Sequence, residues 1–129
     1  MTTSDITPAT ALYVGIDGTV RELNIGSTLS EQSKVIGRAL LDHAEAIDYI
    51  HRPGGTSIVA LARAHRSHKL PNLYAALAVH ALAHPLPHIV QGPVVFAGYT
   101  ATGDLTAIPD DDADTIRDLL HDAVICISF

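Results

Sequence analysis

The chain has 129 residues, which suits a single domain, and its 47% hydrophobic and 17% charged residues exclude intrinsic disorder. Its net charge of -6 disfavours direct nucleic-acid binding, and its single cysteine, Cys126, excludes an intrachain disulfide and a multi-cysteine metal site. The sequence has no apolar run of membrane-spanning length and no signal-peptide pattern, so we expect a cytoplasmic protein without membrane contact.

The first elements are predicted to form a β-hairpin. Residues 11–16 are rich in β-forming side chains, and residues 19–25 return as a second strand. The dipeptide between them, Asp17-Gly18, favours a type I′ turn, so both residues are predicted to have a structural role.

A helix and a second hairpin follow. The segment Thr28-Leu29-Ser30-Glu31 has the form of a capping box, which predicts a helix over residues 29–42. Residues 46–52 and 56–62 are predicted as antiparallel strands, because the segment between them, Pro53-Gly54-Gly55, is typical of a turn.

The second predicted helix covers residues 73–84 and is apolar nearly all round. Asn72 opens this helix and Pro85 stops it. Because a helix without a polar face is usually covered by several neighbours, we expect it to be buried on more than one side.

The next predicted hairpin contains a strand over residues 90–97, a turn over 99–103 and a short strand over 104–108. Both faces of the first strand are apolar, which predicts that helices cover both and that Phe96 is buried. Gly92, Gly98 and Gly103 are predicted to be structural positions of this hairpin.

The chain ends with a third helix and an apolar run. Pro109 and the three aspartates after it favour a helix start, because negative charge stabilises the amino-terminal end of a helix. Residues 123–129 are nearly all apolar and rich in β-branched side chains, so we predict an ordered strand there.

Taken together, these elements predict an α+β fold with a largely antiparallel sheet, built from hairpins and covered by about three helices. The polar residues 1–10 are expected to form a disordered tail, and residues 11–129 a single domain.

Three segments have a specific sequence pattern in a recognisable order: Tyr13-Val14-Gly15-Ile16-Asp17-Gly18, Pro71-Asn72-Leu73-Tyr74-Ala75, and Gly92-Pro93-Val94-Val95-Phe96-Ala97-Gly98 with the following Gly103-Asp104-Leu105. With them the chain resembles an uncharacterised domain-of-unknown-function family of actinobacteria, their phages and mobile elements. The resemblance covers residues 12–120 and departs from the family at Tyr99, where a second glycine is expected. It implies no activity, but it does imply a small accessory protein encoded by a phage or mobile element.

Eight histidines are the compositional oddity of the chain. His80 and His84 lie four residues apart on one predicted helix face, and with His65 or His68 they are candidate zinc ligands. The prolines that follow His84 displace His88 from that face. No Glu follows His80, so the His-Glu-x-x-His pattern of zinc metalloproteases is absent. The prediction is therefore no metal and no cofactor, with a small metal- or ligand-binding protein as the alternative.

Nucleophilic catalysis is also disfavoured. Cys126 lies in an apolar run, where thiols are usually inert, and neither Ser57 nor Ser67 lies in the Gly-x-Ser-x-Gly pattern of a nucleophile elbow. The glycines form neither a dinucleotide-binding nor a phosphate-binding loop. We therefore predict that the chain is not an enzyme.

The remaining function class is protein–protein interaction. Few charges, an excess of apolar faces and the absence of a catalytic pattern predict a non-enzymatic interaction module. The resemblance implies that its partner is a host protein. An acidic decoy that binds a nucleic-acid-handling protein is a further hypothesis. The apolar run 123–129 and the apolar second helix also predict a homodimer, because each needs a covering surface.

Overall fold

The computed structural model describes residues 10–26, 28–41, 44–51, 56–63, 71–82, 90–100 and 102–127. In these ranges the elements are, in chain order, β1 (Thr10–Val14), β2 (Val20–Asn24), α1 (Leu29–Leu40), β3 (Ala44–Ile50), β4 (Ser57–Arg63), α2 (Leu73–Leu82), β5 (Val94–Tyr99), β6 (Leu105–Thr106) and α3 (Asp110–Ile127). The predicted α+β class is confirmed. The predicted tail lies outside the described residues except for Thr10, which begins β1.

The strands form one antiparallel sheet in the order β2-β1-β5-β4-β3, and β6 pairs with the end of β5. The late strand β5 is central, because β1 and β4 pair with its two sides. Phe96 lies at this centre, opposite Leu12 on β1 and Ala60 on β4. The sheet is therefore assembled from hairpins, but it is held together by a strand from the last third of the chain.

Helices cover both faces of the sheet. Because side chains alternate along a strand, β5 sends Val94 and Phe96 to one face and Val95 and Ala97 to the other, and all four are buried. The first face packs against α2 and α3 through the alanines, valine, isoleucine and leucine of those helices: Ala75, Ala78, Val79, Ala113, Ile116 and Leu120. The second face packs against α1 through Ile36 and Leu40.

The turn between β1 and β2 is held by short-range hydrogen bonds. The amide of Thr19 donates to Asp17 Oδ1 over 3.0 Å, and the amide of Gly15 donates to the Thr19 carbonyl over 2.8 Å. Hydrogen bonds from the side chain and then the amide of Thr19 lower the pKa of Asp17 below its usual value. Gly18 has a φ of 88°, which favours glycine, so a turn forms at the predicted place. It is not the predicted type I′ turn, because Asp17 has no positive φ and the Gly18 amide donates to the Gly15 carbonyl.

The start of α1 is capped as its sequence predicts. Thr28 Oγ1 accepts a hydrogen bond from the Glu31 amide over 3.2 Å and donates one to Glu31 Oε1 over 3.0 Å. The helix ends at Leu40, two residues earlier than predicted, because Leu41 adopts a left-handed conformation with a φ of 60°. This conformation is disfavoured for every residue with a Cβ atom.

Replacing Leu41 by glycine is expected to stabilise the protein. The Leu41 side chain is 78% exposed, so the substitution removes little buried surface and relieves the left-handed backbone strain. We expect Leu41→Gly to raise the free energy of unfolding by about 0.5–1 kcal/mol, measured by urea titration. Leu29→Gly is the matched control: Leu29 is equally exposed but lies in right-handed helix, so this variant should lose stability. A loss in both variants would contradict the argument.

The hairpin around β5 is shorter than predicted. β5 begins at Val94, because Gly92 has a φ of 77° and Pro93 has no amide hydrogen to pair. Its return strand is only Leu105–Thr106, and Gly103 turns the chain before it with a φ of 92°. Gly98 allows a close approach there, since a Cβ at this position would lie 2.2 Å from the Ala107 carbonyl oxygen.

The predicted carboxyl-terminal strand is wrong. Residues 123–127 continue α3, which runs unbroken from Asp110 to Ile127, and residues 128–129 lie outside the described ranges. No glycine or proline interrupts this stretch, so each added residue continues the helix by one further hydrogen bond. The β-branched composition of the run was a weaker signal, because strand preference depends on a neighbouring strand to pair with.

Candidate functional site

The amino-terminal end of α2 is fixed by the buried side chain of Asn72. Its Oδ1 accepts a hydrogen bond from the Ala75 amide over 2.9 Å, which caps the helix. Its Nδ2 donates to the carbonyl oxygens of Val14, over 3.1 Å, and Gly92, over 2.9 Å. One side chain therefore ties the start of α2 to the end of β1 and to the segment before β5.

The side of α2 that faces away from the sheet is exposed and apolar. Leu73 is 63% exposed and Leu77 is 40% exposed, and His80 and Ala81 on the same side are exposed as well. These four residues lie at positions i, i+4, i+7 and i+8, which places them on one helix face. We call them the outer face of α2.

The expectation that α2 is buried on more than one side is met only in part, because Tyr74, Ala76 and Leu82 also pack against the core but one face of the helix is exposed. Its buried residues, Ala75, Ala78 and Val79, all face the sheet and α3. The small side chains of Ala75 and Ala78 bring the helix close to the core, whereas Leu73 and Leu77 point away from it. Helix composition alone did not show which side the rest of the fold covers.

The outer face of α2 is also uncharged. The sequence of α2 contains no Asp, Glu, Lys or Arg. By contrast, α1 carries Glu31, Lys34 and Arg38, and α3 carries six aspartates. An uncharged apolar helix face on a chain of net charge -6 is suited to bind another apolar protein surface.

The candidate zinc ligands are only partly described. His80 lies on the outer face of α2 and is exposed, whereas His65, His68, His84 and His88 lie outside the described ranges. Among the residues that the structure describes, no group of three or more His, Cys, Asp or Glu side chains is positioned to hold a metal ion.

A second exposed feature lies at the corner of the sheet where β3 and β5 end. The rings of Tyr49 and Tyr99 meet edge to face with centroids 5.2 Å apart, and Tyr49 is 54% exposed. On the same face, Ser57 Oγ lies 3.5 Å from His51 Nδ1, at the outer limit of a hydrogen bond.

Sequence reasoning considered Ser57 but missed His51. The two residues flank the turn between β3 and β4 symmetrically, so an exact strand register would have paired them. Serine and histidine in contact suit nucleophilic chemistry only when a third group orients the histidine and donors stabilise an oxyanion.

A shallow cleft of about 300 Å³ lies between α3 and the β1–β2 hairpin, lined by Gly18, Val20, Arg117, Leu120 and His121. Arg117 pairs with Glu22 on β2 and lies 3.5 Å from Asp114 on its own helix. Because two carboxylates neutralise this guanidinium, the cleft offers little attraction to an anionic ligand.

Comparison with protein-family models, with curated proteins and with solved structures gives no match to this chain. None of the helices in the described ranges combines the length and apolar content that a bilayer crossing requires.

Proposed function

We propose that this chain is a non-enzymatic protein–protein interaction module that binds its partner through the outer face of α2. The observation that carries the proposal is the exposure of Leu73 and Leu77 on a face of an uncharged helix that neither the sheet nor α3 covers. Full burial of an exposed leucine gives about 1.5–3 kcal/mol, and Leu73 and Leu77 can gain roughly half of that each because they are 63% and 40% exposed. They are therefore the main apolar anchors of such a contact.

The hairpin around β5 resembles part of a domain-of-unknown-function family of actinobacteria, their phages and mobile elements. This resemblance adds a biological context to the proposal. It supports an accessory factor of a phage or mobile element that acts on a host protein. The large apolar residues Leu73 and Leu77 suit that role, because a docking surface needs apolar anchors that remain exposed until the partner arrives.

The proposal is tested by affinity capture from an actinobacterial lysate with three baits. The wild-type chain and Leu29→Glu should retain the same protein in near-stoichiometric amount, and Leu73→Glu/Leu77→Glu should lose it. Leu29 is a matched control because it is 76% exposed and lies on α1, which packs against the opposite face of the sheet. Equal capture by all three baits, or no protein retained above empty resin, would sink the proposal.

A further inference from the structure

We infer that the outer edge of β3 binds an arginine-bearing segment of another protein, and that the guanidinium group stacks on the ring of Tyr49. This site belongs to the face of the sheet that packs against α1, whereas α2 covers the opposite face. It is therefore a second contact surface, and it does not depend on the proposed function of α2.

The two tyrosines at this corner form a platform with one supported ring and one exposed ring. Tyr99 is half-buried and packs against the apolar cluster beneath α1. Tyr49 meets it edge to face, with ring centroids 5.2 Å apart, and is 54% exposed. Because Tyr99 holds it in place, Tyr49 presents an aromatic surface that a partner does not have to order first.

The same face of the sheet already shows an arginine on a tyrosine ring. Arg21 of β2 is the direct cross-strand neighbour of Tyr13 of β1, and Arg21 Cζ lies 4.3 Å from the centroid of the Tyr13 ring. Tyr13 packs against the same apolar cluster as Tyr99. A guanidinium group suits this position because it is planar, remains charged and is attracted by the face of an aromatic ring.

Tyr49 differs from Tyr13 in its neighbours. Val59 of β4 lies opposite Tyr49 on one side, and β3 is the last strand in the sheet order, so no strand of the described ranges lies on its other side. A segment that runs along β3 would therefore place a side chain beside Tyr49, in the position that Arg21 takes beside Tyr13. The bulge in β3 interrupts this edge, so regular pairing covers only a few residues and the arginine has to be the anchor.

Charge favours a cationic side chain at this edge. β3 carries Glu45 and Asp48 and contains no Lys or Arg, and the whole chain has a net charge of -6. A further carboxylate, Asp104, lies beside the platform, since the Tyr99 hydroxyl is 3.9 Å from the position that a Cβ atom on the adjacent Gly103 would take. A guanidinium group is attracted both by these carboxylates and by the ring, whereas an acidic segment is repelled.

NMR titration of the purified full chain with synthetic peptides tests the inference. The probe is a short peptide of alternating threonine and valine with one central arginine, and the control carries citrulline there, which has nearly the same shape without the charge. At low ionic strength the arginine peptide should bind about two- to fivefold more tightly, as expected of a cation–π contact at an exposed ring. It should shift the ring signals of Tyr49 most.

Two tyrosine variants locate the contact. Tyr49→Leu should weaken the arginine peptide to the affinity of the citrulline peptide and leave the latter unchanged, because this double comparison isolates the contact between ring and charge. Tyr13→Leu should keep the full preference for arginine, since Arg21 already occupies that ring. A cooperative thermal transition verifies that each variant is folded.

The double variant Leu73→Glu/Leu77→Glu separates this site from the outer face of α2. It should bind the arginine peptide as the wild type does, because the two sites lie on opposite faces of the sheet. Loss of the arginine preference in this variant would overturn the location on β3.

Four further outcomes would overturn the inference. Equal affinity of the wild type for the arginine and citrulline peptides would show that no cation is recognised. An arginine preference that survives Tyr49→Leu would place the contact on another residue. A lysine peptide that binds as tightly as the arginine peptide would exclude stacking of a planar guanidinium group. A proline-rich peptide that binds more tightly than the arginine peptide and shifts the Tyr49 signals would assign the platform to an uncharged partner.

Discussion

Phe96→Ala is expected to lower the free energy of unfolding by about 3–5 kcal/mol. The ring is 0% exposed on the central strand β5, between Leu12 of β1 and Ala60 of β4. Truncation removes the apolar surface of the ring and leaves a cavity that two hydrogen-bonded neighbouring strands cannot close. A loss of this size is a large fraction of the stability of an ordinary domain, so the variant should unfold at a much lower urea concentration.

The matched control for this substitution is Tyr49→Ala. It removes an aromatic ring of nearly the same size from the edge strand β3, where the ring is 54% exposed. We expect it to cost much less than Phe96→Ala, because solvent already contacts much of the ring. Equal losses in the two variants would show that the centre of the sheet does not carry the stability assigned to it.

Asn72→Ala is expected to lower the free energy of unfolding by about 3–7 kcal/mol. The substitution leaves the buried carbonyl oxygens of Val14 and Gly92 without the side-chain amide that donates to them. Each lost hydrogen bond lowers the stability by about 1–3 kcal/mol. It also removes the cap of α2, which contributes about 1 kcal/mol. Urea titration with circular dichroism measures the loss.

Asn72→Asp separates the two roles of this side chain. The carboxylate can still accept from the Ala75 amide, but it places a negative oxygen against two carbonyl oxygens where the amide group was a donor. Burial and this repulsion raise the pKa of the carboxyl group in the folded state above its unfolded value of about 3.9.

The pH dependence of Asn72→Asp follows from the direction of that shift. Below the unfolded pKa both states are protonated and the ionisation penalty is absent, and it grows as the pH rises from there towards the folded pKa. The stability deficit of Asn72→Asp relative to the wild type should therefore be largest at neutral pH and shrink on acidification towards about pH 4, as the carboxyl group regains a proton to donate. A deficit independent of pH would show that the side chain does not face the two carbonyl oxygens.

The elements that the sequence predicts well depend on residues close together in the chain. The Asp17-Gly18 turn and the Thr28 cap each involve partners no more than four residues apart. Such interactions form in nearly the same way whatever the rest of the fold does, so the local residue pattern is sufficient. The structural role of Asn72 is partly of this kind, because its cap of α2 is local although its bonds to Val14 and Gly92 are not.

The features that the sequence could not predict depend on distant neighbours. The outer face of α2 and its buried face are equally apolar, and only the positions of the sheet and α3 determine which one is exposed. The contact between His51 and Ser57 requires the register of two strands. Residues 123–127 had the composition of a strand, but no strand of the described sheet pairs with them.

The central position of β5 has a consequence for synthesis of the chain. β1 and β4 both pair with β5, although β1 precedes it by more than half the chain. A ribosome therefore releases both hairpins, β1–β2 and β3–β4, before β5 exists, and each emerges with the edge that later pairs with β5 still unpaired. The sheet can close only after Tyr99 has left the exit tunnel, so both hairpins must wait until β5 has emerged. A nascent chain that stalls before Val94 exposes the unpaired edges of β1 and β4, to which strands of neighbouring chains can pair.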